Sequence, residues 1–404
     1  MISYCSSEGW TLIRIARDSA PRSHIYYVHL FHTPPTPKLV TLEISDTHKE
    51  NNVAWIEKGM DFCVGEGYVE VEAYPKNYIS WDDMKLDVHK AGLDIREFNY
   101  ERSRVIVVDK NGEGDCLTVQ GAVDMVPEHN TERVKIYIHP GIYREKVFVP
   151  SSKPYISFIG SQNQSSDTVI TWNNKASDKD QNGTQLGTYR SASVAIESDY
   201  FCATGITFEN TVVAVPGGYG MQAVALRVAG DKAVFYKVKI FGAQDTLLDD
   251  IGSHYFYNCH IQGSVDFIFG TSTSLYQDCV IQSTAQNWGA IAAHHRDSPN
   301  DNTGFSFVNC TITGTGNIFL GRAWGNYSRV VYSYCNMENI IISPGWSDWK
   351  QPSRQKTVVF GEYQCRGRGA ETSGRVPWSK SFSNEEIRPF LDKKFISGEQ
   401  WLRL

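Results

Sequence analysis

The pattern of apolar and polar positions changes texture about a quarter of the way along the chain. Residues 1–100 show no sustained period: Pro34, Pro35 and Pro37 punctuate them, and charges cluster between Thr47 and Asn52. That segment reads as an N-terminal extension or cap of unassigned role. From Arg104 onward, short β-branched and aromatic runs recur between Gly, Asn, Asp and Ser, as in Val105–Val108, Val134–Ile138, Tyr155–Ile159 and Thr168–Thr171. Runs of this length and spacing predict strands. Helical periodicity is scarce, with Cys116–Met125 predicting one amphipathic helix and the last 25 residues a second.

Within residues 101–404 a six-residue frame repeats, opening on an aromatic residue and closing on an apolar one. It reads Phe201–Ile206, Phe235–Ile240, Phe256–Ile261, Tyr276–Ile281, Phe307–Ile312 and Tyr332–Met337, so successive closing positions lie 34, 21, 20, 31 and 25 residues apart. The last four copies carry Cys259, Cys279, Cys310 and Cys335 at the fourth place. A spacing just above twenty, stretched where loops insert, predicts a parallel β-helix: an all-β, single-stranded solenoid whose coils stack about 4.8 Å apart, with short peripheral helices. A propeller or a jelly roll would not produce such uneven coil lengths. The aligned cysteines then form a buried stack, since free cysteine packs as a small apolar side chain.

Composition narrows the function. The 404 residues are 41% hydrophobic and 21% charged, a globular balance, and the formal charge of −6 argues against nucleic acid as a partner. No apolar run reaches the ~20 residues a membrane span requires. Residues Met1 to Ala20 lack the apolar core of a signal peptide, which points to the cytosol or to an export signal missing from this chain. Nine cysteines without a CxxC pair suggest neither a compact disulfide framework nor zinc. Sequons at Asn163, Asn182, Asn309 and Asn326 lean towards a secreted glycoprotein.

The repeat frame also positions acids. Asp245 lies five residues after Ile240, and Asp266 lies five after Ile261; Gln286 holds the same offset after Ile281. Equal offsets on consecutive coils make the two aspartates neighbours. Two carboxylates ~5 Å apart repel by roughly 3 kcal/mol at an effective dielectric near 20, enough to separate their protonation states. The site thereby holds a neutral acid beside an ionised base or nucleophile. Arg322, in Leu320-Gly321-Arg322-Ala323-Trp324-Gly325, would keep one carboxylate ionised, and Trp324 offers a flat face to a sugar. His294 and His295 are adjacent on a strand, point to opposite faces and so cannot chelate a metal together.

Five stretches in order resemble the plant pectin methylesterases (pectinesterases): Gly141-Ile142-Tyr143-Arg144-Glu145, Gln222-Ala223-Val224-Ala225-Leu226-Arg227, Gln244-Asp245-Thr246-Leu247, Asp266-Phe267-Ile268-Phe269-Gly270 and Leu320–Trp324. Val107–Asp115 is similar to the family's opening strand and turn, and Glu362-Tyr363 with Gly369–Val376 to its closing coils. The resemblance spans about Arg104 to Leu404 and is closest to members without a helical pro-region. It implies a right-handed parallel β-helix that removes methyl groups from polygalacturonate esters and releases methanol. It further implies Asp266 as nucleophile, Asp245 as general acid/base, Gln222 and Gln244 as oxyanion donors, and Arg322 as the partner of Asp266. Thr188, Gln222, Arg322 and Trp324 would bind substrate. No metal or other cofactor is implied. Methylesterified pectin is the expected partner, a proteinaceous inhibitor a possible second, and the chain is expected to act as a secreted, cell-wall monomer. The sequence departs from the family at Ala323, where proline is usual and whose replacement should loosen the loop, at Ala243, where an aromatic residue is common, and at Cys116.

Two rivals share the scaffold. A pectate lyase would require a cluster of calcium-binding carboxylates, and a polygalacturonase usually carries Gly-His-Gly, which is absent. The alternative from another class is a non-catalytic pectin-binding wall protein with a relic site.

Overall fold

The computed structural model describes residues 77–86, 104–161, 167–215 and 217–404, and backbone strands alone within the first 74 residues. The N-terminal charge cluster and the sequon at Asn163 lie outside the described residues. The chain forms two compact units, Met1–Tyr74 and Pro75–Leu404. The first contains the antiparallel strands Ser3–Ser7, Trp10–Ala16, Ile25–Phe31 and Glu43–Ser45.

The second unit is a right-handed parallel β-helix. One face is an 11-stranded sheet running from Arg104–Val108 to Lys380–Ser381. The other two faces belong to a single 14-stranded sheet. They are joined because two long strands cross the corner between them without a turn. The strands that carry the site are β1 (Leu226–Val228), β2 (Leu247–Asp249), β3 (Ile268–Gly270), and the two long ones, β4 (Val280–His294) and β5 (Thr311–Ala323).

The repeat frame holds in five of its six copies. Phe235, Phe256, Tyr276, Phe307 and Tyr332 share one register. Their rings form a continuous stack with centroids 4.8, 4.7, 4.6 and 4.5 Å apart. Each such pair contributes about 0.5–1.5 kcal/mol beyond its buried area. The first copy is two residues out: Phe235 pairs with Ala203 and Ile240 with Phe208, so Phe201 and Ile206 are not the frame ends. The third place of the frame is a left-handed residue in each of its six copies, the first counted from Ala203: Gly205 (φ 66°), Lys237 (53°), Asn258 (56°), Asp278 (55°), Asn309 (54°) and Tyr334 (57°). This residue turns the chain from one face to the next, and Asn, Asp and Gly tolerate it best.

Cys259, Cys279, Cys310 and Cys335 are buried in one column, each Sγ donating to a backbone carbonyl of the preceding coil. Cys365 extends the column by one. Its coil opens on Glu362 and closes on Gly367, in register with Tyr332 and Met337, so no aromatic or apolar residue flags it.

The ends are capped. The helix Val119–Met125 lies over the first coil, with Thr118 as N-cap and Glu145 accepting from Val119 N and Gln120 N, both at 2.9 Å. Glu145 and Tyr143, whose hydroxyl donates to the His139 carbonyl at 3.0 Å, therefore serve the fold. The last 25 residues do not form one helix. Pro389 and Gly398 divide them into short turns, of which Asn384–Ile387 and Gly398–Trp401 are helical. Leu402–Arg403 pairs in parallel with Ile79–Ser80, so residues near 80 belong to the second unit.

Candidate active site

The strands β2 and β3 run side by side, Leu247 opposite Ile268 and Leu248 opposite Phe269. Asp245 and Asp266 each lie two residues before that pairing, and Asp245 N donates to Val265 O at 3.0 Å. The equal offset thus makes them neighbours on successive coils. Both have left-handed backbone, φ 60° at Asp245 and 46° at Asp266, a conformation that is rare for a side-chain-bearing residue and clusters at functional sites. Past Asp266 the strand closes on Gly270, φ 143°, where a Cβ would stand 1.8 Å from the Asp249 carbonyl oxygen. Only glycine lets β3 come this close to β2.

Gln286 does not extend the series. Five residues separate Gly263 from Ile268, but nine separate their partners Ser283 and Ala292. The strand β4 is bulged between Thr284 and Trp288, and Ala290 stands in register with Asp266. The extra residues carry Gln286 and Trp288 out to the rim of the groove.

Arg322 arrives from β5, in the same outward-facing row as Phe269 and Ala293. Its Nη1 donates to Asp266 Oδ2 at 2.7 Å. Its guanidinium carbon lies 3.8 Å from the centroid of Trp349 and 5.7 Å from that of Trp288. Asp266 is 7% exposed, and its Oδ1 is buried without a hydrogen-bond partner among the described residues. Burial pushes the Asp266 carboxyl up to about 7, while the Arg322 charge pulls it down. Burial also raises Asp245 well above the ordinary carboxylate range; the Asp266 charge adds to the rise, and Arg322 and a hydrogen bond from Gln244 oppose it. Removal from water thus exceeds mutual repulsion as the cause, a contribution invisible in the repeat pattern. The order is the one a nucleophile and a general acid require, with Asp266 losing its proton first.

All seven residues singled out in the sequence line one groove of about 860 Å³: Thr188, Gln222, Gln244, Asp245, Asp266, Arg322 and Trp324. Gln222 Oε1 is buried there without a partner. Trp288, Trp349 and the loop around Val212–Val215 also line it and carried no repeat or spacing signal. Ala323, fully buried at the end of β5, accepts from Arg354 Nη1 at 2.6 Å, so the strand end is pinned from outside rather than loosened. His294 is fully buried, with Nδ1 accepting from Arg329 N at 3.2 Å, whereas His295 turns outward against Trp324, 4.9 Å between rings. The two rings face opposite sides of the strand.

The pectinesterase family model matches residues 105–399. Pectinesterase QRT1 of Arabidopsis thaliana is 63% identical over 347 residues, covering 81% of this chain and 91% of that one. Among solved structures, the pectin methylesterase from carrot superposes with a TM-score of 0.67 at 38% identity, over 73% of this chain and 94% of its own. The Aspergillus niger pectin methylesterase gives 0.64 at 29% identity, over 74% and 95%.

Proposed function

The chain belongs to the pectinesterase family, and we propose that Asp266 is its nucleophile and Asp245 its general acid and base. It is a carboxylic ester hydrolase, converting methyl esters of polygalacturonate to free carboxylates and methanol. The observation that carries the assignment of roles is the Asp266–Arg322 pair at 2.7 Å, set beside a carboxyl that burial raises well above the ordinary carboxylate range.

The Asp266 carboxylate attacks the ester carbonyl carbon, and the carbonyl oxygen takes the negative charge. The side-chain amides of Gln222 and Gln244, both on the groove wall, would donate to that oxygen. The bond from carbon to the methoxy oxygen breaks, and Asp245 gives its proton to the departing oxygen, which leaves as methanol. Water then adds to the acyl carbon, giving its proton to Asp245. The anhydride bond breaks, freeing the Asp266 carboxylate and the uronic acid, which gives its remaining proton to solvent. Arg322 holds Asp266 in place throughout, and Thr188 and Trp324 contact the flanking sugars.

Methanol release from highly esterified pectin by wild type and Asp266→Asn tests this. Near-complete loss in a folded variant is expected; equal activity would refute the assignment. Pectin bound without methanol release would favour the relic-site reading, and shortened chains would favour a lyase or glycosidase.

We also propose a monomer that acts outside the cell, where the polymer lies, on a surface open to a protein inhibitor. Among the described residues no helix is long and apolar enough to cross a membrane. Of the described sequons, Asn309 commits its Nδ2 to Asp278 at 2.6 Å, while Asn182 and Asn326 are exposed in turns. Asn182 and Asn326 are the expected glycan sites, and peptide mass mapping before and after deglycosylation would show both unmodified if the idea is wrong.

A further inference from the structure

Charge is scarce and one-sided in the groove. Among the described residues that line it, only Glu209, Asp245, Asp266 and Arg322 are ionisable as acids or bases. The single cation, Arg322, is committed: its Nη1 binds Asp266 and its guanidinium lies over Trp349. Glu209 accepts from Thr171 through Oε2 and keeps its other oxygen available. No lining lysine or second arginine remains to pair with a uronate carboxylate. The rims are apolar instead. Val213, Val215 and Trp288, all on the groove wall, are 83%, 62% and 54% exposed. Apolar side chains this exposed beside a catalytic groove are explained by a ligand that covers them.

A polyuronate presents each sugar either as an anion or as a neutral methyl ester. The anion would sit near Glu209 and the ionised Asp266 with no free cation to offset it, and would lose water doing so. The ester carries no charge, and its methyl group finds apolar contacts. We propose that this groove selects runs of esterified uronates around the scissile sugar, Val213, Val215 and Trp288 contacting the flanking methyl esters, and rejects sugars that already bear free carboxylates. This rests on the ester-hydrolase reading and refines it. Each turnover turns a neutral sugar into an anion within the acidic groove, so the product is expelled and its neighbours become poorer substrates. The enzyme therefore scatters its cuts along the polymer instead of advancing from a de-esterified block.

The test compares two uronate hexamers, one fully methyl-esterified, the other with one esterified sugar between free acids. Methanol release is measured at low and high salt. The single-ester hexamer should show kcat/KM lower by about tenfold or more at low salt, and the gap should narrow as salt screens the repulsion. Val213→Lys and Val215→Lys, at exposed positions where folding is insensitive to the side chain, should raise kcat/KM on the single-ester hexamer. Equal or better turnover of that hexamer by wild type, or contiguous blocks of free acid in partly digested pectin, would overturn the preference and leave the hydrolase reading standing. No methanol from either hexamer would overturn both.

Discussion

The guanidinium of Arg322 lies over the indole of Trp349, its central carbon 3.8 Å from the ring centroid. The same guanidinium reaches Asp266 at 2.7 Å, so the tryptophan helps hold the group that makes the hydrogen bond. A cation on an aromatic face in a partly desolvated site contributes about 1–2 kcal/mol.

Trp349→Ala should therefore lower kcat/KM on esterified pectin by about tenfold, with Trp349→Phe retaining most of the activity. Steady-state kinetics on both variants would decide it. A role in sugar binding alone would raise KM and leave the pH profile unmoved. Loss of the anchor should also shift the acid limb upward.

That limb has a definite place. The nucleophile must be ionised, and burial holds Asp266 near 7. Activity should fall about tenfold per pH unit below that value and level off above it, until Asp245 loses its own proton at a higher pH. Arg322→Gln removes the charge that pulls Asp266 down, so its residual activity should be centred at a higher pH. A pH profile of kcat/KM checks both, and an acid limb near 4 would sink the assignment of Asp266.

How much of this was legible depended on the range of the signal. The pairing of Asp245 with Asp266 could be read because both coils are regular and carry the same five-residue offset. Gln286 followed the same count and failed, because four extra residues in β4 move the register onto Ala290. The frame placed at Phe201 slipped by two, since Ala203 and Phe208 occupy the places where later coils carry an aromatic residue and an isoleucine. Trp349 was invisible for a different reason: it reaches Arg322 from a left-handed turn (φ 59°) outside the repeat. Burial of the two acids, which outweighs their repulsion, needs the whole groove and cannot be counted from spacing.

Asp245→Asn should make the protein more stable at alkaline pH while abolishing turnover. The folded-state value of Asp245 is raised above its unfolded one. Such a group contributes its stability below the unfolded value near 4 and loses it as pH rises towards the folded value. An amide has no proton to lose and removes the repulsion of Asp266. Melting at pH 8 should rise by about 2–4 °C, with little difference at pH 4. A lower melting temperature at both pH values would show that Asp245 supports the fold.

A second buried acid should behave oppositely. Asp249 lies four residues beyond Asp245 and is fully buried with His254. Its Oδ1 is 2.5 Å from His254 Nδ1, and its Oδ2 accepts from the Tyr276 hydroxyl at 2.5 Å. His254 Nε2 lies 2.9 Å from the Gly230 carbonyl. Both ring nitrogens face acceptors, which only the charged imidazolium can satisfy. Despite burial, the pair keeps Asp249 below and His254 above their ordinary values. The aspartate's contribution is lost as pH falls below about 4, and the histidine's as pH rises past about 6.5 through its folded value. Breaking the pair with His254→Gln should cost roughly 3–5 kcal/mol near pH 5–6, because it strands a buried carboxylate. Replacing both residues by leucine should cost less than either single loss. Denaturant melts from pH 5 to 9 would test this: the gap between wild type and His254→Gln should narrow above about 6.5, and a constant gap would mean that His254 is neutral.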